Sequence, residues 1–394
     1  MRLLVFAAAI APFVACGQTI VLQTSTILDG KGGTLRNQQI VIDGSKISVV
    51  KSGNGHATYD LRGLTVMPGW IDTHVHMTWH FDSDHKLMNS PREDPKSAAL
   101  YTAENAWLTL QGGFTTVQSV GAPLDVDVRD RINKGSLPGP RILTSVRQIN
   151  NNTAKTPEEF RDFVRKTKAD GADLIKLFAT QGLGAGGQQN ISDENINAVC
   201  GEAKAIGLRA IVHAIGDSGV RASVLAGCTS IEHGNFVTDD TLKLIAQHGT
   251  YFDPNFLVLH NYIDQRSSFP NINDQGIKGL QDSVPLIAEV LQRARKLNVK
   301  VVLGTDAVAG AHGHNAEEFV YRVRDGHDKA MDAIVSATSL AAESLGMGDQ
   351  IGTIGPGVEA DLVATEGNPL EDITAVRRVA FVVKAGKVIR NTKK

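Results

Sequence analysis

The stretch Gly69-Trp70-Ile71-Asp72-Thr73-His74-Val75-His76 sets two imidazoles two positions apart in a run with strand character. Alternate side chains on a strand share a face, so His74 and His76 project the same way and can reach one ion. The spacing alone is weak, because twelve histidines in 394 residues give roughly 0.4 such pairs by chance. A second pair, His312-Gly313-His314, sits in a glycine-flanked loop where strand geometry does not hold, and reads as solvated loop histidines near the mouth of a site. The remainder of the chain decides the first pair.

Seven further short β-rich runs come after Trp70–His76: Thr115–Val120, Arg141–Ser145, Leu174–Phe178, Arg209–His213, Ser230–His233, Thr250–Asp253 and Val301–Thr305. Helical patterns such as Pro157–Lys168, Glu194–Ala205 and Ser283–Lys296 lie between them. Strands alternating with helices imply an α/β class with a parallel sheet, and eight of them predict a (β/α)8 TIM barrel. At the N-terminal side, Gln39–Ile42 and Lys46–Val50 flank Asp43-Gly44-Ser45, a hairpin signature. Val379–Val383 and Val388-Ile389 flank Lys384-Ala385-Gly386-Lys387 in the same way at the other end. The expected organisation is therefore a small β-sandwich from 18–66 plus 347–394, with a hydrolase-type barrel inserted at 67–346.

Composition narrows the classes. Forty basic side chains face forty-two acidic ones for a net charge of −2, so no basic field exists to hold a nucleic acid. Hydrophobic residues make up 42%, enough for a large core and too many for disorder. Residues 1–17 read as a signal peptide: a basic start, the apolar run Leu3–Val14, and Ala15-Cys16-Gly17 as a small-residue cleavage site. The run is too short to span a bilayer, and an exported, periplasmic or secreted protein is expected. Lipid attachment at Cys16 is the rival, disfavoured because Thr19-Ile20-Val21-Leu22 begins a strand with no tether. Three cysteines make no disulfide framework, and Cys200 and Cys228 read as small buried side chains.

Six polar side chains fall at or near predicted strand ends: His74 and His76, Lys176 in Asp173-Leu174-Ile175-Lys176-Leu177, His213, His233 and Asp306. Each alone reads as a satisfied core residue or a helix cap. Together, at the strand ends where barrel enzymes gather their catalytic groups, they point to a metal centre of nitrogen and oxygen donors. A lone lysine in an apolar run is costly to bury as an ammonium.

This constellation resembles the amidohydrolase superfamily. The similarity rests on Met67-Pro68-Gly69-Trp70-Ile71-Asp72-Thr73-His74-Val75-His76 and on Gly304-Thr305-Asp306-Ala307 with His312-Gly313-His314-Asn315. Ile351-Gly352-Thr353-Ile354 and Gly357-Val358-Glu359-Ala360-Asp361-Leu362-Val363 carry it to the far end. Within the superfamily the chain looks like the branch of Xaa-Pro and Xaa-Arg dipeptidases, ochratoxin-type amidases and imidazolonepropionase-like proteins. The resemblance implies a distorted barrel with a β-sandwich from both termini. It also implies two divalent ions, usually Zn2+, with His74, His76 and Asp306 on one and His213 and His233 on the other. Lys176, carboxylated by carbon dioxide to a carbamate, would bridge them; its rival is an ordinary lysine reaching solvent at the mouth. Imidazolonepropionase is mononuclear and lacks that lysine, so Lys176 turns the reading toward the dipeptidase side. Asp306 is then the catalytic proton shuttle in amide hydrolysis.

The expected substrate is a dipeptide or an N-acyl amino acid, including ochratoxin-like amides. A cyclic amide or lactone on the same metals is the alternative, and a non-catalytic binding protein the remote one. Arg147, just past the third strand, is the candidate for a substrate carboxylate, with a solvated loop role equally open. Tyr251 could donate a hydroxyl, though packing suits it better, and His312 is a third candidate contact. Trp79, His80 and Phe81 are expected to wall the pocket. Gly182–Asn190 reads as a mobile loop over the mouth, with no P-loop lysine pattern to make it a phosphate cradle. Nothing in the sequence suggests a partner or fixes an oligomeric state.

Overall fold

The computed structural model describes residues 19–89 and 93–393, so the expected signal peptide and Cys16 lie outside the described residues. It is a mixed α/β protein with two main groups of sheets and a separate two-stranded pair, His80–Phe81 with Leu87–Met88. One group is parallel. Trp70–Val75, Phe114–Ser119 and Arg141–Thr144 form a three-stranded sheet, and Gln148–Ile149, Leu174–Phe178, Arg209–Gly216, Ser230–Phe236, Tyr251–Asp253 and Lys300–Val301 follow in sequence order in a six-stranded one. Backbone hydrogen bonds join the two at both seams. Asp173 N–H donates to the Thr144 carbonyl at 2.8 Å, and Thr73 N–H to the Leu303 carbonyl at 2.9 Å.

The expected runs all recur, with two differences. The eighth is paired only at Lys300–Val301, although residues 302–306 continue beside His74 through Asp306 N–H to the His74 carbonyl at 2.8 Å. A short extra strand, Gln148–Ile149, pairs with Lys176 and Leu177. Several helices begin at a side-chain cap. Thr156 caps Pro157–Ala169 in a reciprocal box with Glu159, and Lys166 and Lys168 complement the negative C-terminal end. The helix expected from Ser283 starts instead at Asp274, capped by the Asn273 side chain on Gly276 N–H, and carries Pro285 within it. Proline suggests a helix start, and that hid the first turns.

The terminal segments build the other group. Lys46–Ser52, Gln38–Asp43, Ile20–Gln23 and Tyr59–Asp60 form one sheet; Lys387–Asn391, Val379–Lys384, Leu362–Glu366, Leu64–Pro68, Thr26–Leu28 and Thr34–Arg36 form the other. Both expected hairpins are present, the first turning at Gly44-Ser45 and the second at Ala385-Gly386, where both residues have positive φ. The two sheets share a core that includes Leu22, Ile40, Ile47, Val66, Leu362 and Phe381.

Cys200 and Cys228 correct the reading from sequence. Both are buried as expected, but they form a disulfide. The helix Asp193–Ala205 packs against Asp217–Leu225, the helix that ends just before Cys228, bringing the two Cα atoms to 5.1 Å, within bridging distance. Twenty-eight residues separate them in the chain, too many for spacing alone to suggest a pair.

Candidate active site

His74, His76, Lys176, His213, His233 and Asp306 all line one cavity of about 460 Å3. His74 Nδ1 lies 2.9 Å from Glu232 Oε2, which holds the proton on Nδ1 and leaves the Nε2 lone pair facing the cavity group. That nitrogen stands 3.2 Å from Lys176 Nζ and 3.3 Å from Asp306 Oδ1. His76 Nε2 is 3.1 Å from the same carboxylate oxygen. The ligand atoms of His74, His76 and Asp306 lie within 4.8 Å of one another. On the other side the His213 and His233 rings meet edge to face at 4.7 Å, and His233 lies 5.6 Å from the His74 ring.

Electrostatics prepare the same groups for a cation. Burial pushes His74 and His213 down to about 3, and His233 well below its usual value, so the imidazoles are neutral and have lone pairs to give. Burial works against ionising Asp306, but His74, His76 and His233 around it hold its carboxyl below the usual range. Lys176 is 1% exposed, and burial lowers its pKa. Its amine has His74 Nε2 as its one hydrogen-bond partner among the described residues. Neutral imidazoles, an ionised carboxylate and a destabilised buried amine form a set that fits divalent ions of intermediate hardness. Asp306 and His233 sit at φ +51° and +73°, a conformation costing of order 1 kcal/mol for a residue with a Cβ.

Because the imidazoles are buried neutral, pH should act on the metal-free protein in a defined direction. The folded pKa lies below the unfolded one, so the unfolded chain binds more protons as pH falls below 6.5, and stability drops toward pH 3. Asp72, Asp253 and Glu318, which burial pushes up to about 7, act in the opposite sense over the same interval, so the imidazole share is read by difference. In urea unfolding of chelator-stripped protein, His213→Asn should remove a pH 7 to pH 5 loss on the order of 1–2 kcal/mol. The same pH dependence in wild type and His213→Asn would contradict this buried neutral site.

The proposed substrate contacts part company with the metal candidates. Arg147 is ion-paired to Asp170 at 2.6 Å and lines an adjoining cavity that shares Trp79 and Gln148 with the first. Tyr251 opens its strand, and its hydroxyl donates to Glu343 at 2.9 Å, away from the cavity wall. His312 Nε2 donates to the His76 carbonyl at 3.1 Å and lines a different cavity. Of the three aromatics expected to wall the pocket, only Trp79 does. Gly182 and Leu183 do reach the wall, but their loop is pinned at its base, with Gln181 N–H bonded to the Gln188 carbonyl at 2.8 Å. Apolar residues dominate the remaining wall: Phe178, Ile215, Val258, Leu259, Leu280 and Val308.

A buried polar scaffold behind the cluster escaped the sequence reading. Arg322 joins Asp253 at 3.0 Å and Glu318 at 2.6 Å, all three fully buried. Asp253 also accepts from Gly304 N–H at 2.8 Å, which holds the segment leading to Asp306. Asp72 likewise accepts from Thr305 Oγ1 at 2.7 Å and Asn315 Nδ2 at 2.8 Å. Removing one member of such a set strands the others, so Arg322→Met should cost about 3–5 kcal/mol in chemical denaturation. A loss below about 1 kcal/mol would show that the network relaxes.

The profile of the amidohydrolase family matches residues 65–389. The chain belongs to that family. This amidohydrolase is 25% identical to ochratoxinase from Aspergillus niger over 94% of its own length and 86% of the relative's. It superposes on the structure of a Xaa-Pro dipeptidase with bound methionine at a TM-score of 0.86, with 31% identity, covering 95% of this chain and 100% of that one. A prolidase complexed with N-methylphosphonate-L-proline gives 0.85 and 27%, with the same coverage. The amidohydrolase is thus a metal-dependent hydrolase acting on carbon–nitrogen bonds. No helix among the described residues is long and apolar enough to cross a membrane.

Proposed function

We propose that this amidohydrolase cleaves the amide bond of dipeptides or N-acyl amino acids at a pair of divalent ions. The observation that carries the reading is the buried lysine: Lys176 Nζ lies 3.2 Å from His74 Nε2, and its charge also acts on His213 and His233 across the same cavity. As a carbamate it would turn a costly ammonium into an anion bridging two cations. His74, His76 and Asp306 would hold one ion, His213 and His233 the other, and zinc suits the donors. When bound, the ions would lower the pKa of water and polarise the scissile carbonyl.

The chain's own groups do the rest. Asp306, held ionised by its three histidines, takes a proton at its carboxylate and returns it to the leaving amine. Glu232 keeps His74 in one tautomer. Trp79, Phe178, Val258, Leu259 and Leu280 exclude water and favour an apolar side chain. The likeness to ochratoxinase and to a Xaa-Pro dipeptidase supports an amide with a free carboxylate. Among the described residues the cavity wall has no arginine, so that carboxylate would reach the ions or pass Gln148 toward Arg147.

The same reading takes the two parallel sheets as arcs of one closed barrel, supported by the hydrogen bonds at both seams. It takes the two sheets from the termini as a sandwich around their shared core, with boundaries at 18–66 plus 347–394 and 67–346. Export is supported by the apolar start of the chain and by the Cys200–Cys228 disulfide, which persists best outside a reducing compartment. A screen of dipeptides, N-acyl amino acids, hydantoins and lactones with chromatographic product analysis tests the substrate class. Free amino acids are expected; turnover confined to hydantoins or lactones would overturn the reading.

A further inference from the structure

A second cavity, of about 320 Å3, lies where the end of the helix Pro95–Gln111 meets the loop 312–314 and the C-terminal strands. Its wall includes Gln111, His312, His314, Glu317, Arg377 and Arg390. The two guanidinium groups are not equivalent. Arg377 is held by Glu317 through two bonds of 2.7 and 2.6 Å, so each cancels the other. Arg390 has no carboxylate partner and no side-chain hydrogen bond among the described residues, and its Nε is buried. Two more buried polar atoms of the same wall are unpartnered: Gln111 Nε2, and Nδ1 of His312, a residue 6% exposed.

Buried polar atoms without partners are uncommon in folded proteins, and each one asks for an explanation. Here three fall on residues of one cavity: Arg390 Nε, part of the uncompensated guanidinium, and Gln111 Nε2 are N–H donors, whereas His312 Nδ1, with Nε2 already donating, is an acceptor that a protonated ligand oxygen would fill. We propose that this cavity binds a small oxyanion, a carboxylate or a phosphate, held by Arg390 with Gln111 alongside. A planar guanidinium accepts either anion through paired N–H donors, and the amide supplies a neutral donor next to it. The cavity volume suits a small organic acid or inorganic phosphate and excludes a long peptide. The site is separate from the metal cluster but adjoins it through one side chain. His312 lines it and donates through Nε2 to the carbonyl of His76. An anion there would therefore sit one residue from the centre without touching it.

Calorimetric titration of the metal-loaded enzyme with inorganic phosphate, and separately with acetate, at constant ionic strength tests the site. Wild type should show saturable binding to at least one of the two, and the tighter one identifies the oxyanion. Arg390→Gln should weaken that binding at least about tenfold, and Gln111→Leu several-fold, both with unchanged kcat/KM. Arg390→Lys keeps the charge without the paired donors and should fall between wild type and Arg390→Gln. Binding retained in Arg390→Gln would place the anion at the metals or elsewhere, and this would overturn the proposal. So would the absence of saturable binding to wild type.

Discussion

Replacing Lys176 with methionine should abolish hydrolysis. The substitution keeps the volume of a side chain that is 1% exposed, so the fold should survive it. What it removes is the nitrogen facing His74 Nε2 at 3.2 Å, the group that would link the two histidine sets. Without a bridging anion, five donors remain for two dications, and their mutual repulsion is left uncompensated. Metal content should fall from about two ions per chain to one or fewer, and kcat/KM by at least roughly 1,000-fold, about 4 kcal/mol of lost charge stabilisation. Elemental analysis and steady-state kinetics on the same preparation read both quantities. A Lys176→Met protein with two ions and near-normal turnover would show the lysine to be an ordinary buried amine.

Asp306→Asn should separate metal binding from proton transfer. The amide preserves the shape and one ligand oxygen but cannot take up a proton at neutral pH. His74 and His76 still offer their Nε2 atoms at the same place, so most of the metal should remain. The expected change is a kcat lower by roughly 10²–10⁴-fold, the usual worth of a positioned acid–base group, with KM changed little. Asp306 is suited to this role because the imidazoles around it hold it ionised despite burial. Turnover within about threefold of wild type would remove Asp306 from the reaction and leave it only a ligand.

Much of this site was legible in the sequence because its residues lie at one end of successive strands. His74, His76, Lys176, His213, His233 and Asp306 all fall at or just past an apolar run, and the structure brings them to one cavity. Glu232 was not legible, although it is next to His233. Strict alternation would turn neighbouring side chains to opposite faces, and the left-handed backbone at His233 breaks that alternation. Both residues consequently approach His74. Arg322, Asp253 and Glu318 were hidden for a different reason. Glu318 and Arg322 lie one turn apart on the helix Glu317–Arg324, where they read as an ordinary surface pair; Asp253 ends a distant strand, and only packing brings it to Arg322 and buries all three.

The substrate contacts show the limit of position along a strand. Tyr251 begins its strand instead of ending it, so the rule that located the metal ligands places it at the opposite end, against Glu343. His312 follows Asp306 by six residues, yet the loop turns it onto the back of His76 and toward a separate cavity. The apolar wall from Val258, Leu259 and Leu280 belongs to two helices after the seventh expected strand, where amphipathic patterns read as ordinary packing.

Metal reconstitution tests the central claim most directly. Chelator-stripped enzyme, given zinc in measured equivalents while release of free amino acid from an N-acyl amino acid is followed, should be inactive at zero. Its activity should rise with added metal and level off at about two equivalents per chain. Full amide hydrolysis by the stripped protein, with no response to added metal, would contradict the assignment of the His74–Asp306 cluster as a hydrolytic metal centre.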